Sequence, residues 1–198
     1  CLARSVTFAQ AIQKDNDLVR CYQLVRLFLE YGAKVNVTFP YSNVTPLLIA
    51  VKQNDIDAVR VLVEWNCRLD IVGRCRIRGE QYDDLEDFEL DPFELSIHQG
   101  FWDIVQVMIL RGYNVSRISY LREAHEDMPL SLPNNRAMLN FLKQCASVPK
   151  PLLQICTEII FKSIKENISH KIDLLPLQAS IRKYLKLYFS GKESMPES

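Results

Sequence analysis

The sequence predicts an all-α chain: a short stack of repeated helix pairs, then a separate helical module at the C-terminus. Three observations carry this reading. A Pro-led apolar segment recurs in register. The stretch after each copy closes on Gly or Asn, the residues that best tolerate a left-handed backbone. After Val148-Pro149-Lys150 the pattern changes to two amphipathic helices of a different spacing.

The first copy ends in Phe28-Leu29-Glu30-Tyr31-Gly32-Ala33-Lys34-Val35-Asn36. Phe8, Ala9, Ala11 and Ile12 read as its opening helix, and the residues around Leu18–Tyr22 as a lengthened turn between its two helices. The second copy runs from Thr45-Pro46-Leu47-Leu48-Ile49-Ala50 to Glu64-Trp65-Asn66-Cys67. The third runs from Asp91-Pro92-Phe93-Glu94-Leu95-Ser96 through His98-Gln99-Gly100 to Arg111-Gly112-Tyr113-Asn114-Val115. Thr45 is a good helix cap, and proline at the first helical position gives up an N–H that has no partner there. Gly32 and Asn66 are 34 positions apart, close to a ~33-residue period. Pro46 to Pro92 and Asn66 to Gly112 are both 46, so a single insertion of about 13 residues explains both spacings. Residues 136–146 read as an amphipathic capping helix.

These residues resemble the ankyrin repeat, whose pattern is Thr-Pro-Leu-His-x-Ala, then Gly, then two leucines and Gly-Ala-x-Val-Asn. The resemblance covers roughly residues 7 to 147, and the repeat domain is set at 1–147. It implies a short ankyrin-repeat solenoid that binds a protein. Leu48 and Glu94 stand where the pattern has His, so a hydrogen bond between neighbouring loops is missing; Asn66 stands in place of Gly.

The inserted residues lie at 73–90. They begin basic (Arg74, Arg76, Arg78) and turn acidic (Asp83, Asp84, Glu86, Asp87, Glu89, Asp91), with Tyr82 and Phe88 between. In an ankyrin stack this is a hairpin finger, and Tyr82, Asp83, Asp84 and Phe88 are candidate contacts for a target. A solvated loop with self-paired charges is the alternative. The acidic run lacks the alternating oxygens and central Gly of a calcium loop.

Bulk properties narrow the function. Lys+Arg and Asp+Glu are 24 each, and a neutral chain lacks the field that holds phosphate backbones, so nucleic acid is not an expected partner. Cys1, Cys21, Cys67, Cys75, Cys145 and Cys156 include no Cys-x-x-Cys pair, and His98, His125 and His170 are scattered, so neither zinc nor a cofactor is expected. Free thiols point to a reducing compartment, cytoplasmic with the nucleus also open. No apolar run reaches the ~18–20 residues that span a bilayer, and no secretory signal is seen. The first residue is Cys1 rather than Met, so the chain reads as a piece of a longer one. No nucleophile, base and orienting group assemble in the pattern, so the chain is not expected to be an enzyme. Trp65 and Trp102 read as core packing.

The C-terminal module spans 148–190, followed by a flexible tail at 191–198. Pro151 starts a helix whose apolar stripe is Leu152, Ile155, Cys156, Ile159 and Ile160, with Gln154, Thr157, Glu158 and Lys162 as the polar positions between. A break at Asn167–Ser169 precedes Ile172-Asp173-Leu174-Leu175-Pro176-Leu177, and a second helix carries Ile181, Tyr184, Leu185 and Tyr188. Pro151, Leu152, Cys156 and Ile160 match the small-or-Pro, Leu, Cys, aliphatic spacing of an Elongin-binding box. Leu175-Pro176-Leu177-Gln178 matches the Leu-Pro-apolar-Pro of a cullin-5 box, with Gln178 replacing the last proline. The module therefore resembles a SOCS box. The resemblance implies that Pro151, Leu152, Ile155, Cys156, Ile159 and Ile160 bind Elongin C, with Leu152 filling its deep pocket, and that Leu175, Pro176 and Leu177 face the cullin. The implied role is the substrate-recognition subunit of a ubiquitin ligase containing Elongin B, Elongin C, cullin-5 and its RING-box protein. The protein substrate is not named by the sequence, and the subunit itself would be non-catalytic. The other open reading is an ankyrin scaffold whose last helices only cap the stack.

Overall fold

A computed structural model describes residues 18–75, 88–121, 128–129, 131–147, 152–164 and 168–190. It is mostly helical. In order the elements are α1 (Leu18–Glu30), α2 (Pro46–Lys52), α3 (Ile56–Glu64), β1 (Gly73–Cys75), β2 (Phe88–Leu90), α4 (Pro92–His98) and α5 (Trp102–Leu110). Two 3-10 turns follow, then α6 (Ser131–Asn134), α7 (Arg136–Ser147), α8 (Leu152–Ser163), α9 (Ile168–Leu174) and α10 (Ala179–Ser190). The expected opening helix around Phe8 and Ile12 and the tail at 191–198 lie outside the described residues.

Local chemistry sets the repeat boundaries. The Thr45 hydroxyl accepts a hydrogen bond from the Leu48 N–H at 3.1 Å, and Pro46 occupies the first turn of α2. Asp91 does the same for α4, accepting from the Glu94 N–H at 2.8 Å, while the Glu94 carboxylate reaches back to the Asp91 N–H. That reciprocal box satisfies two donors that a helix start leaves open. Asn54 and Gly100 turn the chain between paired helices at φ 56° and 71°, and Gly32, Asn66 and Gly112 end second helices at 83°, 58° and 87°.

First helices pack on first helices and second on second: α2 meets α4, α1 meets α3, and α3 meets α5. The residues of α2 from Pro46 to Val51 are therefore all buried, because the helix is covered on every side. Phe93 is fully buried and stacks on Tyr113 with centroids 4.0 Å apart. Packing at this density adds a cavity cost to the hydration term when such a side chain is cut back, about 3–5 kcal/mol in all for a buried Phe. α7 closes the far end with Met138 and Leu142, and the Asn135 side chain caps it by accepting from the Met138 N–H at 3.1 Å. Trp102 packs edge-on against Phe141 of α7 at 5.1 Å, and Trp65 is half-buried against the same core.

One expectation is corrected. Leu18–Tyr22 is not a lengthened turn but the first part of α1. The stretch LVRCYQLVRLFLE holds no Gly or Pro to stop it, so the helix simply runs on.

β1 and β2 pair antiparallel in the register Gly73–Leu90, Arg74–Glu89 and Cys75–Phe88, forming the base of the inserted finger. Arg74 and Glu89 also pair through their side chains at 3.4 Å. Neighbouring loops are tied without the missing His. The Arg74 N–H donates to the Ser42 carbonyl at 2.8 Å, and the Arg68 N–H to the Asn36 side chain at 2.8 Å. Gly73 makes the first of these approaches possible. A Cβ there would lie 2.8 Å from Leu48 Cδ2 and 2.9 Å from the Asn43 carbonyl oxygen. Gly73→Ala is expected to destabilise the chain by about 1–3 kcal/mol, the usual cost of overpacking, seen as a lower urea midpoint at unchanged slope.

An acidic pair, Asp91 buried and Glu94 half-buried, sits at the start of α4. Burial raises the Asp91 carboxyl above its ordinary 3.8, against the hydrogen bond from the Tyr113 hydroxyl at 2.5 Å. Burial, and then the Asp91 charge, raise Glu94 above its ordinary 4.5. The folded state therefore holds these protons to higher pH than the unfolded chain. Their contribution to stability is fully present below the ordinary values and is lost as pH rises through the raised ones. Asp91→Asn keeps an acceptor for the cap. Its thermal midpoint is expected to fall less than that of the parent as pH rises from 4 toward neutrality; parallel curves would contradict this.

Candidate partner-docking site

The largest apolar exposure among the described helices is on α8. Leu152 is 75% exposed, Ile155 40% and Ile159 58%, and Cys156 is exposed with them. At spacings of three, four and seven they form one edge of the helix. The opposite side is buried: Thr157 and Glu158 together with Phe161 and, just beyond the helix, Ile164.

That inner side meets the repeats at two turns. The Asn66 side-chain amide donates to the carbonyls of Phe161 at 3.3 Å and Ile164 at 2.7 Å. Glu158 packs directly onto Gly112. Arg111, one residue before, lies over the Phe161 ring with 5.7 Å from its Cζ to the centroid. Burial lowers the Arg111 pKa to about 10, and the Glu64 carboxylate opposes that fall, so the guanidinium stays charged at neutral pH. Glu64 in turn pairs with Arg26 of α1 at 2.8 Å.

Two of the polar positions of α8, Thr157 and Glu158, are thus buried rather than exposed. Thr157 and Glu158 point at the repeats, and most of the apolar stripe points away. Ile160 leaves that stripe. It is half-buried and joins a second small core made by Phe161, Ile164, Ile172 and Leu185. Pro151 lies outside the described residues.

The second core also takes up two of the three residues that the SOCS-box resemblance assigned to the cullin. Leu175 and Leu177 are half-buried against it, and only Pro176 of the three is exposed. The tight turn between them is closed by the Leu177 N–H donating to the Leu175 carbonyl at 2.7 Å. The outward apolar groups here are instead Leu174, 71% exposed, and Ile181, 43% exposed. Leu174 could have been found from helical spacing: two residues after the inward Ile172, it lies on the opposite side of α9. Ser169 lies inside α9 rather than in a break. α9 and α10 are held together by Lys186, 2.7 Å from an Asp173 carboxylate oxygen, and by Arg182 donating to the Asp173 carbonyl at 2.8 Å.

Of the finger candidates, Tyr82, Asp83 and Asp84 lie outside the described residues. Phe88 is in β2, half-buried against the repeat core, so it serves the fold rather than a free contact. Two exposed groups on the neighbouring loops were not anticipated: Tyr41, almost fully exposed at φ 70°, and Val72. Among the described residues no three His, Cys, Asp or Glu side chains gather as a metal site, and no helix is long and apolar enough to cross a membrane. Burial pushes the Cys67 thiol up to about 12, which keeps it protonated.

A family model described as ankyrin repeats (many copies) matches residues 20–63, from within α1 to the last turn of α3. This stretch is ankyrin repeat. No curated protein matches the chain. Ankyrin repeats are protein-interaction modules that offer a continuous surface of loops and helices, so the coarse function is that of a protein-binding adaptor. Leu152 is exposed and is not part of the repeat core. Leu152→Asp is expected to leave the unfolding midpoint of the chain within about 0.5 kcal/mol of the parent, as for exposed positions generally.

Proposed function

We propose that this chain is the substrate-recognition adaptor of a cullin–RING ubiquitin ligase. The ankyrin repeats hold a protein target. The C-terminal helices, read as a SOCS box, hold Elongin B and Elongin C through α8, and cullin-5 with its RING-box protein through the α9–α10 turn. The mechanism is proximity: two sites on one body raise the effective concentration of a target lysine near the charged conjugating enzyme.

The observation that supports this most is the orientation of α8. A helix that serves only as a cap turns its apolar stripe inward. α8 turns inward Thr157, Glu158 and Phe161, and leaves Leu152, Ile155 and Ile159 to water. Capping is already done by α7 through Met138 and Leu142. Each exposed aliphatic side chain represents ~1.5–3 kcal/mol of gross driving force once a partner covers it. Association entropy takes back part of that sum, so the edge suits a grooved partner of moderate to high affinity. At the second site, Pro176 with Leu174 and Ile181 supplies an apolar patch for the cullin, and exposed Gln178 is the departure that sets its strength.

Co-expression with Elongin B and C is expected to yield a soluble stoichiometric complex. Leu152→Asp should weaken it by about 2–4 kcal/mol, the range of an anchor residue, enough to abolish co-purification, and Cys156→Phe should do the same by overfilling the groove. Circular dichroism should show the repeats still folded in both. Full-strength binding in these variants would refute the assignment of the edge.

A further inference from the structure

Three equivalent positions end the second helices of successive repeats, and among the described residues only two of them touch the C-terminal helices. Gly32 closes α1 at φ 83°, and a Cβ there would meet nothing within 4 Å. Gly112 closes α5 at almost the same angle, but a Cβ there would lie 2.8 Å from Glu158 Cδ and 2.9 Å from Cγ. Asn66 closes α3 and departs from glycine. Its backbone at φ 58° needs no side chain, yet its amide donates to two carbonyls at the end of α8, that of Phe161 in the last turn and that of Ile164 just beyond it. A helix end runs short of its own donors there, and the Asn66 amide adds to the Ile164 N–H that already reaches the Phe161 carbonyl at 3.1 Å. Arg111 adds a half-buried cation on Phe161, and Phe161 stacks on Tyr188 of α10 at 6.1 Å between centroids. The contact thus extends from one repeat turn to both long helices of the module.

We propose that Asn66, Arg111 and Gly112 are positioning residues: the turns of two consecutive repeats clamp α8 and fix the direction in which its apolar edge faces. Asn66 is then a specific element rather than a tolerated substitute for glycine. Its consequence for ubiquitin transfer rests on the ligase reading above. A clamped module presents the recruited conjugating enzyme to one sector of the repeats, whereas a hinged one would sweep many.

The test uses the full chain. Asn66→Gly keeps a residue suited to the left-handed turn and removes only the side-chain amide. Arg111→Met keeps the length and apolar stem and removes the cation. By hydrogen–deuterium exchange, both are expected to speed exchange in α8–α10 by roughly tenfold, the worth of about two modest polar contacts, with α2–α5 unchanged. In complexes reconstituted with Elongin B/C, cullin-5 and its RING-box protein, the chain's own modified lysines, including Lys34 and Lys52, are mapped by mass spectrometry. The parent should give a restricted set and both variants a broader one. Unchanged exchange in both variants would overturn the clamp. Faster exchange with an unchanged lysine set would overturn its positioning role. A parent chain that fails to capture Elongin B/C would sink the ligase reading, and exchange would still decide the clamp.

Discussion

The Arg111 guanidinium on the face of Phe161 is the contact on which the arrangement of the C-terminal helices depends. Placing a cation in a buried site is unfavourable unless charge and hydrogen-bonding groups surround it. Here the Glu64 carboxylate acts on it from α3, and the Phe161 ring covers it from α8. The repeats thus supply a charged socket rather than an apolar one. A helix that fits such a socket must bring polar and aromatic groups to it, and α8 does so with Thr157, Glu158 and Phe161. Once that side is committed inward, helical geometry leaves Leu152, Ile155 and Ile159 on the outside. The exposed edge is therefore a consequence of the socket, and not a local failure of packing.

The same logic explains why the small second core exists. About forty residues cannot bury a core of their own. Phe161 and Ile164 lend one wall from the α8 end, and Ile172 and Leu185 supply the others. Leu175, Leu177 and Ile160 are drawn in to finish it, which removes them from the surface the sequence assigned them. What stays outside is Pro176, Leu174 and Ile181.

Much of the repeat region is legible in the residues because its signals are local. Thr45, Pro46 and Pro92 mark helix starts, and Gly32, Asn66 and Gly112 mark helix ends, whatever lies around them. The lengthened turn at Leu18–Tyr22 was misread because it was inferred from repeat length rather than from a breaker, and none is present. The identity of the α8 edge was also readable, since spacing alone places Leu152, Ile155, Cys156 and Ile159 together. Which side of the helix met the repeats was not. That choice depends on Asn66 and Arg111, which are distant in sequence and which the repeat pattern presents as unremarkable turn residues. The position of Ser169 inside α9 was hidden for a similar reason: a helix of seven residues is fixed by packing Ile172 into a core shared with Leu185 of α10, and carries little signal of its own.

An ankyrin adaptor faces a design problem that these contacts address. Its repeats are made alike so that they stack, yet a module attached to them must find one place along the stack. Glycine at every turn would make the turns interchangeable, because a bare backbone offers no direction. Replacing one glycine by Asn66, and preceding the next by Arg111, breaks that equivalence at two adjacent turns without altering the left-handed geometry the stack requires. The first turn, at Gly32, keeps its open space and carries no such mark. Two labelled turns define a line, and the Phe161 ring under Arg111 with Glu158 on Gly112 sets how a helix laid along that line is turned.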